Sequence, residues 1–177
     1  MKSRTLLIIL SLITCHILSA KSVIYKNLSE LPDSLREQTI SESLKPFSIY
    51  ILNKHWGGEI KFTRDDDRLS YKTYESSGDI ITYYDIPHKV VLDVRNWDTG
   101  KEYKKEITRK NVRMMPGEAY YDFQVREPTI SLVTDSKIVF TLIIVKLDTD
   151  EGDCLEVTVS NDGVQIKNMD IVPGEDD

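Results

Sequence analysis

Two short stretches hold the residue types best suited to recognition chemistry, His55-Trp56-Gly57-Gly58 and Trp97-Asp98. An indole stacks on the apolar face of a sugar ring, and a carboxylate such as Asp98 accepts the surrounding hydroxyl hydrogen bonds. Paired glycines let a ligand approach the backbone closely, and they equally permit a plain turn. Each stretch reads as the tip of a hairpin. If both tips lie at one end of the fold, His55, Trp56, Trp97 and Asp98 form one binding surface for a glycan or a partner. The simpler account makes each tryptophan a lid on the core.

A second candidate is the basic segment Lys101–Arg113. It carries Lys101, Lys104, Lys105, Arg109, Lys110 and Arg113 against only Glu102 and Glu106. Strand alternation puts Lys101, Lys105, Arg109 and Arg113 on one side, with Tyr103 and Ile107. The last two want a core, and the conflict is resolved if the strand is at a sheet edge, its cationic stems over apolar surface and their heads in water. Lysines there also block edge-to-edge pairing. The functional reading is a strip centred on Lys105 and Arg109 for an anionic partner such as a sulfated glycan, an acidic lipid surface or an acidic protein.

Metal and catalytic signatures are weak or missing. Asp148-Thr149-Asp150-Glu151-Gly152-Asp153 packs four carboxylates into six residues, and calcium takes oxygen ligands around such turns. Asp148, Asp150 and Asp153 are the calcium candidates. The run lacks the third alternating aspartate and the distal glutamate of an EF-hand loop, and a solvated hairpin turn explains it more simply. Asp65–Asp67 invites the same reading with less support. Beyond the N-terminal segment the histidines are His55 and His88, in different turns, with no H-x-H, H-E-x-x-H or C-x-x-C spacing for a transition metal. No G-x-S-x-G or phosphate-cradling glycine loop appears. Carboxylates beside Cys154 would raise its pKa and blunt it as a nucleophile. No cofactor is expected. A hydrolase assembled from scattered residues would need His55 or His88 in a cleft, within hydrogen-bond reach of a nucleophile or carboxylate.

The elements that would position these residues are strands. Ser136–Leu147 is apolar on both sides, with Ile138, Phe140, Leu142 and Ile144 on one and Val139, Ile143 and Val145 on the other. Such a strand is expected to be central and covered on both faces. Cys154–Ser160 follows as its hairpin partner. Further strands are expected at Phe47–Leu52, Glu59–Thr63, Leu69–Tyr74, Asp79–Asp85, Lys89–Arg95, Lys101–Thr108, Tyr120–Val125, Thr129–Val133 and Val164–Met169. The last is joined through Asn161-Asp162-Gly163, where Asp-Gly suits a primed turn. Strands recurring every 8–12 residues with turn signals between them predict an all-β fold: an antiparallel β-sandwich, or a barrel-like variant, as one domain. One short helix is expected at Ser34–Leu44, from the capping pattern Ser34-Leu35-Arg36-Glu37 and Pro46 beyond it, packed across an open end of the sheet.

The N-terminus sets the compartment. Residues 1–20 read as a signal peptide, with Lys2 and Arg4, an apolar stretch Thr5–Thr14, and Leu18-Ser19-Ala20 at the cut. Residues 21–46 form an N-terminal segment, 47–172 the sandwich, and 173–177 an acidic tail. Of the two cysteines, Cys15 falls in the leader, so Cys154 alone remains and an internal disulfide is excluded. A competing reading makes Cys15 a lipidated N-terminus, although Thr14 is bulkier than such a site prefers. Asn27-Leu28-Ser29 is a glycosylation sequon. The net charge of −6 and the isoelectric point near 5.2 argue against nucleic acid as partner. No apolar run of the mature chain is long enough to span a membrane. The expectation is a secreted, non-enzymatic binding protein for a macromolecule or glycan at a cell surface. The alternatives are a periplasmic or lipid-anchored envelope component, and a hydrolase without a local motif.

Overall fold

The structure, a computed structural model, describes residues 23–65, 68–112, 119, 122–147 and 152–169. In chain order come the helix α1 (Asp33–Glu42) and the strands β1 (Phe47–Leu52), β2 (Trp56–Arg64), β3 (Ser70–Ser76), β4 (Asp79–Asp85), β5 (His88–Asn96), β6 (Glu102–Ile107), β7 (Phe123–Val125), β8 (Thr129–Val133), β9 (Lys137–Lys146), β10 (Gly152–Ser160) and β11 (Gly163–Met169). All pairings are antiparallel. One sheet has the order β1-β2-β5-β6. The other runs β11-β10-β9-β7, with β8 also pairing with β9. The all-β sandwich expected from strand spacing is the observed fold.

Period-two patterning decides which face of each strand is inside. In β5, His88, Val90, Leu92, Val94 and Asn96 are buried, while the residues between them reach outward. Ile138, Phe140, Leu142 and Ile144 of β9 and Leu155, Val157 and Val159 of β10 are fully buried. They meet Trp56, Ile60 and Phe62 of β2 in one core cluster that joins the two sheets. The central place of β9 agrees with expectation, but its cover on both faces holds only in part, Val139 being buried on the outer face. Ile143, on the outer face beside Cys154, is 49% exposed. The strand is central because it is paired on both edges.

The β3–β4 hairpin belongs to neither sheet. A lone hairpin is marginal in water, so its base has to be held. Arg109, fully buried, donates to the Ser70 hydroxyl and to the Arg68 carbonyl. Ser70 faces Asp85 in register, and the Gln124 amide donates to the Asp85 carboxylate. Beside this polar base lies a small apolar cluster of Leu31, Leu69 and Ile86, onto which Leu35 and Ile40 of α1 pack. The helix therefore braces the hairpin base. Nor does Ser34 cap it: the N-cap is Pro32, with no side-chain cap hydrogen bond. Arg36 holds the entry instead, donating to the carbonyls of Leu31 (2.7 Å) and Leu28 (3.2 Å) and pairing with Asp33 at 3.1 Å. The turns differ from expectation in one more respect. Both loop residues of β3–β4, Ser77 and Gly78, take positive φ, as a primed turn needs, whereas between β10 and β11 only Gly163 does.

Truncating Phe140 or Leu142 to alanine is expected to cost about 2–5 kcal/mol each, read by chemical denaturation. The hairpin base adds a pH dependence. Burial pushes Asp85 up from 3.8 to about 6, against the opposing pull of the Arg126 and Arg109 charges. Below 3.8 the folded and unfolded chains both hold this proton, and the contribution is present in full. As pH rises from there through about 6 the unfolded chain releases it first, so stability falls. Asp85→Asn is expected to remove the loss. Its stability advantage over wild type should grow from near zero at about pH 3 to about 3 kcal/mol at neutral pH. Burial lowers the pKa of His88, which gives the opposite slope, lost stability as pH falls below 6.5. That slope cancels in the difference between the two proteins.

Candidate functional site

The two candidate tips come together on the outer face of the four-stranded sheet. Asn53 makes the first tip: its side-chain oxygen accepts from the backbone N–H groups of His55 (2.8 Å) and Trp56 (2.7 Å), and its own N–H donates to the Trp56 carbonyl at 2.9 Å. The turn is thus Asn53–His55, and the chain is already in β2 at Trp56. Asn96 makes the second tip, accepting from the Thr99 N–H at 2.9 Å and the Thr99 hydroxyl at 3.1 Å. Register places Trp56 opposite Asn96 and Gly57 opposite Arg95. The Trp97 N–H then donates to the His55 carbonyl at 2.7 Å, tying one tip to the other.

The side chains follow from that register. His55 Nδ1 lies 2.6 Å from Asp98 Oδ2, so this nitrogen carries the proton it donates to the carboxylate. Nε2 remains as the ring's second hydrogen-bonding atom. The Trp97 indole lies over Gly57, where a Cβ would come within 2.2 Å of the ring carbon Cζ2. Only a glycine leaves room for it. Trp97 is 49% exposed, and the Arg95 guanidinium, itself 3.9 Å from Glu102, sits 5.6 Å from the ring centroid. On the other side of Gly57 in the same row is Leu52, 84% exposed, and at the next outward position of β1, two residues back, is Tyr50, 77% exposed.

His55, Trp97 and Asp98 therefore share one surface, but Trp56 does not. Strand alternation turns Trp56 inward, where it is fully buried beside Tyr103 and its Nε1–H donates to the Thr134 carbonyl at 2.9 Å. It is a pin between the sheets. Tyr50 and Leu52 were missed because an apolar Phe47–Leu52 reads as buried. The usable signal was that Ile49 and Ile51 already fill the inward positions.

The basic strip is not assembled. β6 is an edge strand, as the Tyr103–Lys105–Ile107 conflict required, with Tyr103 and Ile107 buried and Lys105 exposed between them. However, the strand ends at Ile107. The Thr108 hydroxyl accepts from the Lys110 N–H at 3.1 Å, and the Asn111 side chain accepts from the Thr108 N–H at 2.9 Å. This capped turn sends Arg109 inward to the hairpin base, away from Lys105. Lys101 reaches the Asn161 carbonyl at 2.9 Å, and Lys104 pairs with Asp93 at 3.2 Å. Arg113 lies outside the described residues.

The remaining candidates form no second cluster among the described residues. Asp148 and Asp150 lie outside the described residues, and Asp153 sits within β10. Among the described residues no group of three His, Cys, Asp or Glu side chains is placed to hold a metal ion. Asn27 is exposed just before a turn at Leu28–Glu30, and its amide donates to Glu30 at 2.6 Å. Cys15 and the leader fall outside the described residues, among which no helix is long and apolar enough to cross a membrane. His88 is a core histidine, stacked 4.7 Å from Phe62 and bonded through Nε2 to the Leu44 carbonyl at 2.9 Å. His55 has the carboxylate partner that a catalytic base would have. Yet it sits on an open face, and among the described residues no Ser, Thr or Cys side chain is hydrogen-bonded to it. An open groove of about 570 Å³ that the sequence did not suggest lies against the β3–β4 hairpin, lined by Lys72, Tyr74, Tyr83, Tyr84, Asp85 and Leu147.

Gly57→Ala is expected to lift the Trp97 indole off the sheet while the backbone pairing of β2 persists. In a ¹H–¹⁵N spectrum the Trp97 indole resonance should move, and that of Trp56, held to Thr134, should not. Movement of both would mean that the substitution had disturbed the core. No family model matches the chain, and no curated protein matches it.

Proposed function

We propose that the chain is a secreted, non-enzymatic binding protein that recognises a glycan or other macromolecular partner at a cell surface through the face around Trp97. The observation that carries this reading is the convergence of Trp97 with the His55–Asp98 pair. The indole is half exposed on the floor that Gly57 leaves, and the hydrogen-bonded His55–Asp98 pair lies at its edge. That combination offers an apolar stacking surface together with directed donors and acceptors, the pattern a sugar ring or an amphipathic protein surface can use. The platform is preorganised, because the Trp97 N–H is tied to His55 and the ring rests on Gly57. Little ordering entropy remains to be lost on binding. Support for a binding role over hydrolysis comes from the open face and from the lack of a nucleophile beside His55 among the described residues.

Glycan arrays and cell-surface binding of the purified protein test the reading. Trp97→Ala should weaken whatever binding is found by at least about tenfold, the usual effect of removing an aromatic anchor, and leave the melting temperature close to wild type. Asp98→Asn should weaken it less, since the amide still offers an acceptor oxygen. Absence of binding on both platforms, or binding indifferent to Trp97→Ala, would defeat the reading.

A further inference from the structure

The two edges of the four-stranded sheet are treated very differently. On β6 every outward-facing residue is charged, Glu102, Lys104 and Glu106, and Lys105 adds a charge on the inward side. This is how natural sheets keep other strands away. On the opposite edge, β1 reads Phe47-Ser48-Ile49-Tyr50-Ile51-Leu52, with no charge at all. Among the described residues β1 pairs only with β2.

The backbone direction of β1 can be read from one hydrogen bond. Continuing the β1–β2 register past Leu52↔Gly57 places Asn53 opposite Trp56, and the Asn53 N–H donates to the Trp56 carbonyl at 2.9 Å. Antiparallel ladders alternate, so Ile51, Ile49 and Phe47 also spend their N–H and C=O groups on β2. Those of Ser48, Tyr50 and Leu52 therefore point to the free edge. The side chains of these same three residues lie on the outer face, while Ile49 and Ile51 lie on the core side.

We propose that β1 is a self-association edge, pairing antiparallel with β1 of a second copy of this chain across a two-fold axis at Tyr50. In that register Tyr50 faces Tyr50 of the second copy, and Ser48 faces its Leu52. All three facing pairs join residues whose backbone groups have no strand partner among the described residues, so each pair exchanges two hydrogen bonds. The outer face of one copy continues as the outer face of the other, and Ile49 meets Ile51 of the second copy on the core side. A shift by one residue would break both matches at once. The strand is thus complementary to itself, which an edge built for an unlike strand has no need to be. It also carries no like charges to oppose the approach of a chain with net charge −6. The result is one continuous sheet with both Trp97 platforms on the same side. The inference rests on backbone geometry and is independent of what Trp97 binds.

Sedimentation equilibrium of the secreted chain, from low micromolar to a few hundred micromolar, is expected to show a monomer–dimer equilibrium. The double substitution Tyr50→Lys/Leu52→Lys, on exposed side chains, should abolish the dimer and leave the circular dichroism spectrum unchanged. A cross-linking arm reads the register even if that variant folds poorly. Facing residues of a hydrogen-bonded antiparallel pair sit about 5.5 Å apart at Cα, within disulfide range. In a Cys154→Ser background, Tyr50→Cys should therefore oxidise to a covalent dimer, and Ser48→Cys, facing Leu52, should not. The proposal fails if the wild type stays monomeric throughout, which would leave the edge to an unlike extended strand. It fails equally if the dimer survives Tyr50→Lys/Leu52→Lys, or if Ser48→Cys cross-links as readily as Tyr50→Cys.

Discussion

Contact between the inward row of β5 and the inward rows of β9 and β10 is the constraint from which the outer surfaces take their character. Once Val90, Leu92 and Val94 must meet Phe140, Leu142 and Val157, strand geometry leaves Val91, Asp93 and Arg95 nowhere to point but outward. Register then decides what each outer residue sits beside. Gly57 falls opposite Arg95, and the bare strip of backbone it leaves is where Trp97 comes to rest. The candidate site is in this sense a by-product of core packing, made specific by one missing side chain.

The hairpin base obeys a different rule. A buried guanidinium costs less the more of its donors find acceptors, and the two terminal nitrogens of Arg109 bind the Ser70 hydroxyl and the Arg68 carbonyl. Asp85 lies close enough to feel the Arg109 and Arg126 charges, yet burial outweighs them and favours its neutral form. Desolvation wins because no cation makes a direct ion pair with the Asp85 carboxylate among the described residues; its partner there is the neutral amide of Gln124. The hairpin is thus held mainly by directional bonds, and the small Leu31–Leu69–Ile86 cluster supplies the apolar share.

Much of this is legible in the sequence. Apolar runs bounded by turn signals located β1, β4 and β9 to within two residues, and alternation did the same for β3, β5 and β10. The edge position of β6 followed from Tyr103 and Ile107 flanking Lys105. The joining of His55 to Trp97 and Asp98 was open, since strand order is a long-range property that local patterning does not contain. Trp56 follows the simpler account, a tryptophan in the core, and not the binding one; Arg109 departs from the expected surface strip. Each lies at a junction, where a one-residue change in where the strand begins or ends reverses the direction of the side chain. Ile143 shows the limit of reading burial from composition: an apolar residue on an outer face is ordinary at a protein surface.

The inward turn of Trp56 has a consequence for observation. The chain contains two tryptophans. One is sealed in the core and bonded across to Thr134, and the other lies half in water on Gly57. Their indoles therefore emit from environments of opposite polarity. A dissolved quencher reaches Trp97 and leaves Trp56 dark to it. The protein thus carries two built-in optical reporters: blue-shifted light from Trp56 follows the separation of the sheets, and red-shifted light from Trp97 follows events at the surface, without any attached dye.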